Sequence, residues 1–426
     1  MGIKKIIEKL LPKFLLSLYH YKLVLLAAMI YGFPGKKIKV IGVTGTKGKS
    51  TSVILIGKIL EEAGFRVAWM TSATIKVADR EILNPYHMTM PGRFVIQRFL
   101  KDALISKCDY AILEVTSEGI KQHRHRFINF DTAVFTNLKP EHIEAHGSFE
   151  NYRLCKGKLF KATKNIHVLN LDDKELEYFM QFPAHKKIGC SMINPRADIY
   201  ATNIQESREG VGFSIGGMDF NLKLLGRFNI SNSLLAVGVG LSSGVALGVC
   251  KRALEKISIM PGRMEVVIEK PYKVIVDLAH TPDSYEEVFK AVKAFPHNKI
   301  IVVFGSAGGG RDKWKRPVLG KIAGQSADYI VLCNEDPYDE KPEEIVEEIK
   351  KGVIESGFVK ENLFEILDRR EAIRKGLTLA KENDMVLILG KGTEQLMVLS
   401  TGKVPWDDRT ITKEEFKSID FSTRRL

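Results

Sequence analysis

Two hydrophobic periods alternate along this chain. Ile38, Val40, Ile41 and Val43 form a β-branched run, and Val53, Ile54, Ile56, Ile59 and Leu60 follow at helical spacing. The exchange repeats through VAWMTSAT, a helical stretch near Arg93 to Leu104, DYAILEVTS and FDTAVFTNL. After Pro261-Gly262 a second series begins, with KVIVDLAH, a helix through Val288, KIIVVFGSAGGG, a helix near Ala323, DYIVLCNEDP and, further on, MVLILGKG. Strands alternating with helices predict mostly parallel sheets with helices on their faces. The expected organisation is an N-terminal apolar and basic helical segment over residues 1–37, then α/β domains over 38–262 and 263–426.

The pattern changes character before residue 38. FLLSLYHYKLVLLAAMIYGF, Phe14 to Phe33, is long enough to approach a membrane span, but His20 and Lys22 interrupt it. Lys4, Lys5, Lys9 and Lys13 precede it, and Lys36, Lys37 and Lys39 follow. Two readings lead, with a true span behind both: a helix packed on the next domain, which the pattern favours, and an interfacial helix lying on an anionic membrane surface. No small-residue cleavage pattern follows it, so a cleaved signal peptide is not expected.

Charge narrows the partners. The formal net charge is +13, which suits polyanionic ligands. There is no arginine-rich run or basic stripe interleaved with aromatics, so nucleic acid is not an expected partner. The five cysteines are scattered, with no C-x-x-C pair, as in a protein of a reducing cytoplasm.

Candidate chemistry gathers just past strand ends, where open parallel sheets hold ligands. IKVIGVTGTKGKSTS joins a strand to a helix through Gly45, Thr46, Lys47, Gly48, Lys49, Ser50 and Thr51, although Val43 stands where a phosphate loop usually starts with glycine. Backbone N–H groups and the helix N-terminus favour phosphate there, Lys49 reaches outer phosphates, and Ser50 suits Mg²⁺. AILEVTSEGIKQHR brings Glu114 for Mg²⁺, with Ser117, Gln122 and Arg124 for an anionic substrate. FTNLKPEHIEAHG and KGKLF contribute Asn137, His142, His146 and Lys156.

In order, TGTKGKST, EVTS, FTNLKPEHIEAHG, KGKLF, GRFNISN, MPGRME, VDLAHTPDSYEEV and FGSAGGGRDKWKRP resemble the Mur ligases. AHTPDS and RDKWKRP look most like the MurE type, which adds the third amino acid of the peptidoglycan stem to a UDP-muramoyl-dipeptide. The resemblance implies a central phosphate-loop ATPase domain, a Rossmann-like C-terminal domain, and ATP-dependent amide ligation through an acyl phosphate. It assigns Lys49 to the phosphates, Ser50 and Glu114 to one Mg²⁺, and His142 to a second. Lys156 matches the lysine that is carbamylated in the family. Asn229, Asn232, Arg263, Asp277 and His280 fall on ATP-binding motifs, and Thr89, Pro91, Ser117, Gln122 and Arg124 on motifs holding the muramoyl-peptide.

Two departures matter. About forty residues precede the phosphate loop, too few for the uridine-gripping domain with which MurE-type proteins usually begin. In diaminopimelate-adding members a strand-end Asp-Asn-Pro-Arg presents an arginine to the distal carboxylate, whereas here Glu335, Asp336 and Pro337 lead to Tyr338. With Asp339 and Glu340 the stretch reads as acidic, which favours L-lysine or a similar diamine over meso-diaminopimelate. Arg311 is the competing carboxylate partner, and Gly390 and Glu394 lie in the matching GKGTEQ region. Other expectations kept in view are a folylpolyglutamate-synthetase-like ligase, a ligase for another carrier-linked peptide, and a non-catalytic membrane-associated binding protein.

Overall fold

The computed structural model describes residues 12–419 except 87, 142, 208, 294 and 295. His142 therefore lies outside the described residues, as do Lys4, Lys5 and Lys9.

The first sheet contains β1 (Lys39–Thr44), β2 (Val67–Met70), β3 (Thr74–Val77), β4 (Arg80–Leu83), β5 (Tyr110–Glu114), β6 (Phe130–Phe135), β7 (Ile166–Asn170), β8 (Lys186–Ser191), β9 (Ile199–Ser207), β10 (Gly210–Ile215) and β11 (Met218–Leu222). Their order is β11-β10-β9-β8-β7-β6-β1-β5-β2-β3-β4. The stretch from β9 to β2 is parallel throughout. The antiparallel additions at its two edges, β3–β4 and β10–β11, were not distinguished by the hydrophobic pattern, because polar residues break up their short runs.

Alternation along β1 builds a core on each face. Ile41 and Val43 join Ile54, Ile59 and Leu60 of the helix Lys49–Glu62 and Leu234 of the helix Phe228–Ser242. Val40 instead joins Ile96 and Phe99 of the helix Arg93–Ile105 and Leu159 of the helix Phe149–Ala162. Gly42 lets Phe130 and Leu159 pack against the strand; an added Cβ would press on both.

The second sheet contains β12 (Glu265–Ile268), β13 (Lys273–Asp277), β14 (Ile300–Phe304), β15 (Tyr329–Leu332), β16 (Leu363–Glu365) and β17 (Met385–Leu389), in the order β12-β13-β17-β14-β15-β16. Only β12 runs antiparallel to its neighbour. Met260 packs in the first sheet's core and Met264 in the second's, so the chain passes between them around Pro261-Gly262. A short antiparallel pair, β18 (Leu396–Leu399) and β19 (Gly402–Pro405), follows.

The apolar N-terminal segment forms the helix Lys13–Ile30. Its inner residues Val24, Ala27 and Ala28 are buried, and it packs against the helix Arg93–Ile105. No described helix is long and apolar enough to cross a membrane.

Candidate active site

The phosphate-loop backbone is fixed by neighbouring strands before any ligand arrives. Gly45 and Gly48 have φ of 154° and 79°. A Cβ on Gly45 would collide with Thr136 Oγ1, and one on Gly48 with Asn232 Oδ1. Asn137, beyond β6, accepts from Lys47 N at 2.9 Å and donates to Lys47 O at 3.1 Å, while its carbonyl accepts from Thr46 N at 2.8 Å. Thr136 Oγ1 donates to Lys47 O at 2.6 Å. Thr51 is buried in the first turn of the following helix.

Ser50 Oγ donates to Glu114 Oε2 at 2.6 Å, and Lys49 Nζ lies 3.9 Å from Glu114 Oε1. Ser72, at the end of β2, adds its N–H to Glu114 Oε2 at 3.0 Å and its hydroxyl 2.9 Å from Ser50 Oγ. One carboxylate beside a hydroxyl is the donor set Mg²⁺ accepts when phosphates and water complete its octahedron. Arg263 reaches the same point from the second sheet, with Nη2 3.4 Å from Ser50 Oγ and 3.3 Å from Ser72 Oγ.

Lys156 is 2% exposed, with Nζ donating to Gly45 O at 2.7 Å and lying 4.7 Å from the centre of the Tyr152 ring. Burial, and next the charge of Lys49, hold its pKa well below the usual lysine range. The neutral amine this favours is the form that can add carbon dioxide.

The two sheets also meet at Glu141, which lies 3.4 Å from Lys47 Nζ and 3.3 Å from His280 Nε2. Burial lowers the Lys47 pKa to about 8, against the pull of Glu141. Burial and the neighbouring Lys47 lower His280 to about 3, so its ring is neutral. Lys315 Nζ donates to His280 O at 2.9 Å. Asp277 accepts from Met264 N and Ala279 N, each at 2.6 Å, and burial raises its pKa despite nearby Arg263. Asn229 and Asn232 bond to each other at 3.1 Å beside the phosphate loop.

The expected peptide-binding residues form a second cluster. Arg124 is 5% exposed; it donates to Met90 O and, at 2.7 Å, to Gln122 Oε1, while its Nε has no partner. Pro91 is buried, Thr89 half-buried, and Ser117 Oγ lies 3.1 Å from His146 Nε2. Gln122 and Arg124 thus brace the loop with most of the groups expected to face a substrate.

At the end of β15 the acids do not form the open acidic surface their sequence suggests. Asp336 accepts from Lys391 Nζ at 3.0 Å, Glu394 from the same amine at 2.8 Å, and Glu340 from Arg316 at 3.1 Å. Lys313 also pairs with Glu340 at 3.0 Å. Burial alone would lower the Lys391 pKa, but Glu394 and Asp336 outweigh it and raise it. Glu335 is different: it is 5% exposed, presses against Gly390, and its Oε2 has no partner. Burial raises its pKa to about 7 although Arg369 and Lys391 oppose the shift. Arg311 is exposed, its guanidinium 5.8 Å from the centre of the Tyr338 ring.

Residues 43–240 match the Mur ligase middle domain, and 262–392 match the Mur ligase, glutamate ligase domain. The UDP-N-acetylmuramoyl-L-alanyl-D-glutamate–2,6-diaminopimelate ligase of Clostridium tetani (strain Massachusetts / E88) is 37% identical over 400 residues, covering 92% of this chain and 80% of that protein. The chain belongs to the Mur ligase family. A UDP-N-acetylmuramyl-tripeptide synthetase from Roseiflexus sp. (strain RS-1) is 36% identical over 417 residues, covering 93% and 82%. A solved diaminopimelate ligase structure of the same description as the clostridial protein matches with a TM-score of 0.60 at 30% identity, covering 89% of this chain and 78% of that one.

As a Mur ligase the chain is an ATP-dependent, amide-forming enzyme whose relatives are of the MurE type. Sequence reasoning missed Ser72, Glu141, Lys315 and Lys391. Three of them stand inside motifs already singled out, KPEHIEAHG, RDKWKRP and GKGTEQ, so the signal was present. Ser72 gave none, because only the fold brings it to Glu114.

Proposed function

We propose that this Mur ligase joins an amino acid to the free carboxylate of a UDP-muramoyl-dipeptide. The observation that carries the reading is the meeting of Lys49, Ser50, Glu114 and Arg263 at one point between the two sheets. ATP supplies a phosphoryl group that turns the inert carboxylate into an acyl phosphate with a good leaving group. The protein's part is to position and to neutralise charge. Lys49 and the loop N–H groups hold phosphate oxygens, Ser50 and Glu114 hold Mg²⁺, and Arg263 closes over them from the second sheet. Asn229, Asn232, Asp277 and His280 line the nucleotide's path, and Lys156 serves as a carbamate that supplies oxygen ligands for a second Mg²⁺.

For the incoming amino acid, the reading keeps L-lysine or a similar diamine ahead of meso-diaminopimelate. It rests on Tyr338 in place of a two-pronged carboxylate partner. Asp336 and Glu340 are compensated by cations, whereas Glu335 Oε2 is buried without a hydrogen-bond partner. Peripheral association with a membrane surface through the helix Lys13–Ile30 belongs to the same proposal. The decisive assay is ADP release with UDP-muramoyl-dipeptide and a panel of amino acids. Turnover that requires both supports the reading, and turnover stimulated only by a folate overturns it.

A further inference from the structure

The helix Lys13–Ile30 has two apolar sides and only one is packed. At about 3.6 residues per turn, Phe14, Leu18, Tyr21, Leu26, Met29 and Ile30 share the outer half of the helix. All six are exposed, Phe14 at 69% and Ile30 at 61%. The inner half holds His20, Val24, Ala27 and Ala28, all buried. A helix of 18 residues is about 27 Å long, so this face is a continuous stripe rather than scattered exposure.

Charge selects what covers the stripe. No Asp or Glu occurs between Lys9 and Leu60. Lys22 lies on the outer face, and exposed Lys36 and Lys37 follow the helix. Exposed Arg126 adjoins Phe127, whose ring packs on Tyr21 and Phe33. An apolar stripe on a stretch of chain whose charged residues are all cationic fits an anionic lipid surface, with lysine heads reaching phosphates while their stems lie along the apolar layer. A second copy fits less well: Lys22 is at the helix midpoint, so antiparallel two-fold pairing would set Lys22 against Lys22.

We infer that the helix Lys13–Ile30 lies in the plane of an anionic membrane and holds the enzyme there by its outer face. The inference deepens the peripheral association proposed above and is independent of the ligase chemistry. The helix is fastened to the peptide-binding cluster: Ser17 Oγ lies 2.8 Å from His123 Nε2, and His20 Nδ1 lies 3.0 Å from Arg93 Nη2. Arg93 and His123 thus couple the membrane-facing helix to the loops that carry this cluster.

Flotation of the full chain with equimolar phosphatidylglycerol–phosphatidylcholine vesicles tests this. The wild type should float, and should bind pure phosphatidylcholine less well. Leu18→Glu with Met29→Glu should lower binding at least about tenfold, and Lys36→Glu with Lys37→Glu should weaken it in low salt. These positions are outside the active site, so both variants should keep the wild-type melting temperature and ADP release, the latter reporting on the ligase reading separately. A wild type that stays at the bottom of the gradient, or a glutamate variant that floats equally well, overturns the inference. A dimer that the glutamate pair dissociates, without flotation, would assign the face to a second copy instead.

Discussion

The two ends of the candidate active site are built on opposite principles. At the phosphate loop, Asn137, Thr136, Ser72 and Glu114 satisfy one another and the loop backbone with short hydrogen bonds. At the ends of β14 and β15, Ser306 Oγ and Glu335 Oε2 are buried without partners, as is Tyr285 OH on the adjoining helix Pro282–Lys293. Leaving such groups unpaired costs about 1–3 kcal/mol each. The nucleotide end is preorganised by the protein, whereas the other end retains polar groups for a ligand or water to complete.

The comparison is broken most severely at the preorganised end. Lys49→Ala and Glu114→Ala should each lower ligation by about 100- to 1,000-fold or more with little change in melting temperature, since both act on phosphate or metal charge. Turnover near the wild-type rate in either would refute the assigned roles. Lys156→Ala should be similarly inactive, yet recover part of its activity with added short-chain carboxylates, which replace the carbamate oxygens. A crystal structure with two Mg²⁺ bound beside a bare Lys156 amine would contradict that explanation.

How much of this could be read from the sequence follows the same division. The loop from Gly45 to Ser50 and its partner Glu114 were legible because strand, turn and helix are contiguous and each motif ends a strand. Parallel architecture was legible from hydrophobic alternation, while the antiparallel edges β3–β4 and β10–β11 were not. The acids after β15 were misread because their charge is cancelled from far along the chain, Asp336 by Lys391 and Glu340 by Arg316. Likewise, the almost unbroken apolar run before Phe33 does not reveal which face of its helix is covered.

The ligand-completed end is sharpened by exchanging Tyr338. Tyr338→Arg puts a planar, two-pronged donor at the position proposed to face the side chain of the incoming amino acid. It should shift the ratio of kcat/KM values toward meso-diaminopimelate by about tenfold, equivalent to about 1.4 kcal/mol. If the unaltered enzyme already prefers meso-diaminopimelate over L-lysine at equal concentration, the tyrosine does not set specificity and exposed Arg311 becomes the carboxylate partner.

The smallest effect is one of pH. Glu335 has its folded-state pKa raised from 4.5 to about 7, first by burial. The folded state therefore binds more protons than the unfolded state between those values, and stability of the free enzyme falls as pH rises through them. Glu335→Gln keeps the shape but removes the ionisation. Its melting temperature should consequently decline less than that of the wild type across this window, by about 2–4 °C. If the side chain also receives the incoming ammonium, saturating amino acid should flatten the wild-type profile toward that of the variant, because the bound cation favours the carboxylate. Parallel melting profiles for the two proteins would show that Glu335 titrates as an ordinary carboxylate. The ligand-completed end would then have no proton-linked instability for an amino acid to relieve.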